Sequence, residues 1–584
     1  MNKVLEQKLA YFRSEVEKAG EELRDVPLPE LTEEAFGLFE TNGNRLIYEN
    51  LYFPRRKQLA VFGLLSIWYG READVRKLEA VLREICRERC WALPAHVSRK
   101  EKDWEITVDL FASETAQALS EITALLGDRL SEEVRNLVKE EVTRRIFDSY
   151  MSRPLGGWNW ESYENNWVAV CAGSIGSAAM HLLNDQPEKQ KRILDRVLET
   201  MPRYLDSIME DGTCPEGILY FTYGMTYFTG FAEQMYRFSG GKVNLMDNPK
   251  VERAARFQQA CYFDSGLTVS FSDGSQRDRY RLGLTCYLAS LYPGVELPAI
   301  SSAMNLDDDS CYRFMALLRD DAWVRTYGES VKTPSEDGAA GRDQWLTVLP
   351  AAQWVVGKGD RGTGFAVKGG HNDEPHNHND IGTFLYLAGH DMFLTDLGGG
   401  EYTKDYFSDK RYGILNNRSL GHSLPLADGK EQLAGRAYCA DAFHAEEETV
   451  KQEQGEQHWA KTEVSFGGAY EEGLFEKALR SLRFCRETGQ LQAEDRFWLK
   501  HAKTVAENLV TQYEPQMEGN GFSLRGQDGV LRIRVEEPAD FKVEKETFSN
   551  HQGQEEVLYR IQWLLKTEDG KAESRFTADW EPAR

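Results

Sequence analysis

Between Gly369 and Gln432 the chain reads GGHNDEPHNHNDIGTFLYLAGHDMFLTDLGGGEYTKDYFSDKRYGILNNRSLGHSLPLADGKEQ, and five of its eleven histidines fall there: His371, His376, His378, His390 and His422. Imidazole titrates near neutrality and is a common ligand of borderline divalent metals. In His376-Asn-His378-Asn-Asp380 an extended backbone would bring residues 376, 378 and 380 to one face. Asp396 follows at the end of FLTD, before a run of glycines, and His422 follows in SLGHSLP. Two imidazoles and a carboxylate from neighbouring strands form an N/O set suited to zinc or manganese. The competing expectation is a hydrogen-bonded, metal-free histidine cluster at a turn.

Three further groups could carry chemistry. Asn165-Asn166-Trp167 precedes the small-residue segment CAGSIGSAAM, where asparagine is a favoured helix cap. Glu216-Gly217 leads into Tyr220, Tyr223 and Tyr227, and Tyr223 and Tyr227 share a helix face at i,i+4 spacing. Trp91-Ala-Leu-Pro-Ala-His96 places one histidine on an aromatic-rich turn. Taken alone, these residues suit capping, aromatic packing and a structural histidine as well as they suit a site.

The elements that must position them differ along the chain. From the N-terminus to about residue 315, apolar positions recur at i, i+3, i+4 and i+7, as in VRKLEAVLREICRER and ETAQALSEITALLGDRL. Helix follows helix with short connections, which suits antiparallel hairpins in a bundle or a ring. The segment VKTPSEDGAAGRDQ is polar and glycine-rich, as linkers are. Beyond it, period-two alternation sets in (QWLTVL, QWVVGK, GFAVKG, TFLYLA, MFLTDL), which predicts a long antiparallel β domain, most simply a sandwich. The expected fold class is multidomain α+β: a helical domain over 1–320, a linker over 321–345 and a β domain over 346–584.

A formal net charge of −24 argues against non-specific binding to nucleic acid or to an anionic membrane, and no apolar run is long enough for a membrane span. The opening segment MNKVLEQKLAYFRSEVEKAGEEL reads as a charged amphipathic helix without a signal-peptide core. The nine cysteines are scattered, with no CxxC pair, and are expected as free thiols. A cytoplasmic location is the expectation from both features. Oligomeric state is left open.

The histidine block, LTDLGGGEYTKDYFSDKRY and GHSLPLADGKEQ together resemble the C-terminal domain of the heparinase II/III-like polysaccharide lyases. WALPAH, NNW and the EGxxYxxYG form of residues 216–224 resemble their helical domain, in the same order. The resemblance implies an (α/α) toroid followed by an antiparallel β-sandwich. It also implies β-elimination on uronic-acid-containing polysaccharides or oligosaccharides, with a divalent metal in the β domain.

Carried over residue by residue, it makes Asn166, Tyr220 and His376 catalytic and makes His378, Asp396 and His422 the metal ligands. The ion would be zinc, with manganese or calcium as alternatives, in a structural role. His96, Asn165, Glu216, Tyr223, His371, Tyr402 and Arg411 would meet substrate. Asn165 and Asn166 remain interchangeable in this assignment, as do Tyr220 and Tyr223.

In the implied reaction, removal of the proton α to a uronate carboxyl builds charge that Asn166 stabilises by hydrogen bonds. Tyr220 and His376 share the proton transfers at C5 and at the leaving O4. The substrate class is of glycosaminoglycan type (heparin or heparan sulfate, chondroitin, hyaluronan). The alternatives are an alginate oligolyase, a cupin-like metal enzyme using the same histidines, and a non-catalytic carbohydrate-binding relative.

Overall fold

The computed structural model describes residues 3–331, 344–452 and 455–583. Two compact units divide the chain. One comprises Met1–Ile208, Tyr220–Ala255 and Arg279–Thr333; the other comprises Met209–Leu219, Arg256–Asp278 and Pro334–Arg584.

The first unit is helical, and its amphipathic segments pack as their patterns dictate. Leu5, Leu9, Phe12 and Val16 form the buried stripe of the first helix, Lys3–Leu23. The helix Asn166–Leu182 is buried almost all round because its small residues admit close neighbours. A Cβ on Gly176 would lie 2.5 Å from the Phe231 ring of the helix Ile218–Phe238, so these two helices approach at near-backbone distance. No helix among the described residues is long and apolar enough to cross a membrane. All nine cysteines are free thiols.

The second unit is antiparallel β. A five-stranded sheet runs in order Leu346–Leu349, Trp354–Lys358, Thr363–Lys368, Phe384–Ala388, Asp391–Leu394. Its inner strands are buried on both faces, which is why they read as nearly continuous apolar runs. An eight-stranded sheet, a four-stranded sheet and a two-stranded ribbon of His371–Asn372 and Gly435–Cys439 complete the unit among the described residues. Phe365 and Phe384, Leu482 and Leu491, and Leu509 and Ile561 bring side chains from all three sheets into one core.

The expected boundaries at 320 and 346 differ from these units. Residues 209–219 and 256–278, inside the expected helical domain, belong to the β unit. The expected linker 321–345 is also helical at its start, because Phe314–Tyr327 is one helix. Residues 332–343 lie outside the described residues.

One charged group ties the β core to the histidine block. Arg480 is fully buried and pairs with Asp495 at 2.6 Å. Its Nη1 donates to Gly382 O at 2.9 Å and to Ser423 O at 2.6 Å, the carbonyls that follow the HNHND loop and His422. Removing one member of a buried pair strands the other charge, at a cost of about 3–5 kcal/mol. Arg480→Met is therefore expected to lower unfolding stability by about that amount in urea denaturation, whereas exchange of a surface arginine such as Arg76 changes it by about 0.5 kcal/mol or less.

Candidate catalytic and metal-binding site

The β unit's site is built around a loop that comes from the middle of the chain. Ser270 Oγ donates to Asp396 O at 3.0 Å and Ser272 Oγ to Pro215 O at 2.8 Å, which fixes the loop carrying Asp273. The glycine run after Asp396 exists to let this loop pass. Gly398 has φ +64°, and a Cβ there would sit 1.9 Å from Gly274 O. Gly399 N instead donates to that carbonyl at 3.0 Å.

Asp273 is 1 % exposed and is surrounded by donors. His376 Nδ1 lies 2.5 Å from its Oδ2 and His378 Nε2 lies 3.1 Å from its Oδ1. Tyr402 OH donates at 2.9 Å, Arg411 Nη2 at 3.2 Å, and Tyr406 OH completes the set. Burial by itself would raise the Asp273 pKa. The Arg411 guanidinium and the hydrogen bonds from His376 and His378 outweigh it and hold the carboxyl well below the ordinary range.

His376 and His378 do not lie on a strand, contrary to the expectation of one shared strand face. Only His371–Asn372 is extended there, and His376 adopts φ +58°, a conformation uncommon for a non-glycine residue. The two rings meet through Asp273 instead. On its other side, His376 Nε2 lies 3.5 Å from Glu216 Oε2.

Behind His376, ligand-type atoms of His378, Asp380, Asp396 and His422 lie within 4.8 Å of one another, all buried. His378 Nδ1 has no hydrogen-bond partner, and His422 Nδ1 and Asp396 Oδ2 face each other at 3.2 Å. Each imidazole is oriented from behind: His378 Nε2 faces Asp273, and His422 Nε2 lies 3.0 Å from Asn416 O. This is the arrangement that leaves both Nδ1 lone pairs directed inward. Two imidazoles and a carboxylate whose ligand-type atoms converge on one point fit a zinc-type ion. Burial pushes the His378 pKa down, which favours the neutral ring that such a ligand needs. Asp380 differs from the other three, because both its oxygens accept from buried Lys368 Nζ, at 2.7 and 3.0 Å.

The remaining expected residues divide as follows. Tyr402 stacks beside His376 with ring centroids 6.3 Å apart. Arg411 faces Asp273 and donates to Asn377 O at 3.0 Å, so its charge is committed within the protein. Lys368 is fully buried against Asp380. His371 Nδ1 accepts from Asp373 N at 3.2 Å, outside the Asp273 cluster.

The helical unit carries the others. Asn165 is the N-cap of its helix, accepting from Trp167 N at 3.0 Å, and Asn166 is the first helical residue, 2 % exposed. His96 Nδ1 lies 2.7 Å from Asp109 Oδ2, and the ring packs edge-on to Trp167. Tyr223 OH donates to Glu114, and Arg313 lies over the Tyr223 ring at 4.1 Å. Tyr220 and Tyr223 are both partly exposed on the helix Ile218–Phe238, Tyr220 in its first turn.

Sequence reasoning missed Asp273, the Lys368–Asp380 pair and Glu374. The sole local signal for Asp273 was an Asp-Gly turn between short polar residues in SFSDGSQ.

No protein-family profile matches the sequence, and no curated protein matches it. Solved structures do. Heparinase III aligns over 100% of this chain and 92% of its own, at 13% identity and a TM-score of 0.64. The heparan sulfate lyase HepC from Pedobacter heparinus aligns over 99% and 88%, at 14% identity and a TM-score of 0.60. The chondroitin AC lyase of Streptomyces coelicolor A3, solved with chondroitin sulphate, aligns over 99% and 80%, at 11% identity and 0.54. The chain therefore has the heparinase-like polysaccharide lyase fold, a helical toroid domain followed by an antiparallel β-sandwich.

Glu374, beside this site, gives a pH test. Burial raises its pKa to about 7, with Lys368 opposing. A carboxyl raised in the folded state contributes fully below its unfolded pKa, and the contribution is lost as pH rises through the folded value. The shift corresponds to about 3 kcal/mol lost between roughly pH 4.5 and 7. Glu374→Gln is expected to flatten this slope. Its melting temperature relative to the unaltered protein should rise between pH 5 and pH 8, and a difference constant with pH would refute the assignment.

Proposed function

We propose that this protein is a lyase that cleaves uronic-acid-containing oligosaccharides or polysaccharides of glycosaminoglycan type by β-elimination. The observation that carries the reading is His376: a partly exposed imidazole, held at Nδ1 by a buried carboxylate, two residues from a metal-type cluster, on a fold shared with heparan sulfate and chondroitin lyases.

The roles follow from chemistry. A proton α to a uronate carboxyl is weakly acidic, and its removal places charge on that carboxyl. Asn166 donates hydrogen bonds to the developing dianion, an electrostatic effect of the oxyanion type. His376 exchanges a proton at Nε2, with Nδ1–H anchored on Asp273. Tyr220 is the partner in proton transfer between C5 and the leaving O4.

His378, Asp396 and His422 would hold zinc. The ion would supply a rigid cross-link between the HNHND loop and the segments carrying Asp396 and His422. Full burial of His378 and His422 supports this structural role over the open coordination that a cupin-like reaction needs.

The test is ultraviolet absorbance during incubation with heparan sulfate, heparin, chondroitin sulfates, hyaluronate, alginate and their oligosaccharides. Elimination creates a conjugated C4=C5 bond that absorbs, and hydrolysis does not. Absorbance should rise on a glycosaminoglycan or its oligosaccharide. No rise on any member would end the lyase reading, and a rise on alginate alone would move the substrate class. His376→Ala and Tyr220→Phe should each lower kcat by about 100-fold or more. His376→Ala should keep its metal, whereas His378→Ala should lose activity, metal and thermal stability together.

A further inference from the structure

We infer that Asp273 is a positioning residue that sets the tautomers of two histidines with different tasks, the proton-transferring His376 and the metal-binding His378. The task of His376 rests on the lyase reading; the tautomers rest on geometry alone.

The two carboxylate oxygens are divided between the rings: Oδ2 serves His376 Nδ1 at 2.5 Å, and Oδ1 serves His378 Nε2 at 3.1 Å. An ionised carboxylate only accepts hydrogen bonds, so each facing nitrogen must carry a hydrogen. In the neutral rings the opposite nitrogens are then bare. For His378 the bare atom is Nδ1, the buried atom without a hydrogen-bond partner that faces the metal-type cluster. For His376 it is Nε2, which faces Glu216 Oε2 at 3.5 Å and can take up a proton beside that carboxylate.

The same carboxylate could not serve both rings if it rotated. Tyr402 OH at 2.9 Å engages Oδ2, while Arg411 Nη2 at 3.2 Å and Tyr406 OH engage Oδ1. His422 Nε2 donates its outer hydrogen bond to a carbonyl, Asn416 O, at 3.0 Å. Asp273 is therefore the point where the metal-binding group and the proton-transferring group share one oriented partner.

Asp273→Asn keeps the shape and replaces one acceptor oxygen by a donating amide, so one ring must present a bare nitrogen to it. Three readouts are taken on the full chain. In the zinc-free protein at mildly alkaline pH, ¹⁵N NMR of labelled histidine should show His376 as Nδ1–H and His378 as Nε2–H, and Asp273→Asn should reverse at least one. Zinc affinity, measured by competition with a chromophoric chelator, should fall about 10–100-fold. In zinc-saturated Asp273→Asn, kcat should fall about 100-fold or more with KM within about threefold. Asp273→Glu, acceptor-only again, should recover part of the zinc affinity.

Unchanged ring tautomers with unchanged zinc affinity in folded Asp273→Asn would overturn the inference. So would a loss of zinc affinity with full kcat at zinc saturation, or an unaltered protein that binds no zinc or shows the opposite tautomers. The unaltered protein's NMR pattern decides the case if Asp273→Asn does not fold. If no uronate is turned over, the lyase reading fails, while zinc affinity and tautomers still decide the role of Asp273.

Discussion

A carboxylate removed from water is tolerated only where donors replace its hydration. Asp273 meets this condition with two imidazoles, two phenols and a guanidinium. The donors come from two stretches, 376–378 and 402–411, and the acceptor comes from a loop about one hundred residues earlier. Once that loop is seated, the histidine block has little freedom left. Gly398 and Gly399 are the steric counterpart of this contact, since side chains there would crowd the Asp273 loop.

Two other buried charges frame the same region. Lys368 neutralises Asp380, and Arg480 neutralises Asp495 while reaching the carbonyls of Gly382 and Ser423. Buried ion pairs contribute little net stability compared with apolar packing of the same volume. Their value here is geometric: loops without regular structure are held at their carbonyls and carboxylates. Asn165 and Tyr223 do the same in the helical unit, one by capping a helix and the other by anchoring on Glu114.

The histidine block was legible because composition alone marks it: imidazoles, carboxylates and glycines rarely cluster without a chemical reason. Helical and β stretches were legible because 3.6-residue and two-residue periods differ. The strand reading of His376–Asp380 failed for a physical reason. Alternating His, Asn and Asp imitates period two, but no apolar partner alternates with them, and a positive φ at His376 breaks the extended backbone. The linker reading began too early because FMALLRDDAWVRTY keeps a helical apolar pattern up to Tyr327.

The sequence by itself determined the fold class, the order of helical and β domains, and the grouping of His376, His378, Asp396 and His422. Those follow from local pattern and residue type, which do not require knowledge of distant neighbours. Only the tertiary structure decided that Asp273 is the common partner of two of those histidines. Only it decided that Asn165 caps and Tyr223 anchors, and that Lys368 and Arg411 face carboxylates of their own unit. Each of these depends on which atoms meet across long sequence separations, and a hydrogen bond or ion pair has no signature in the one-dimensional spacing of the groups that make it.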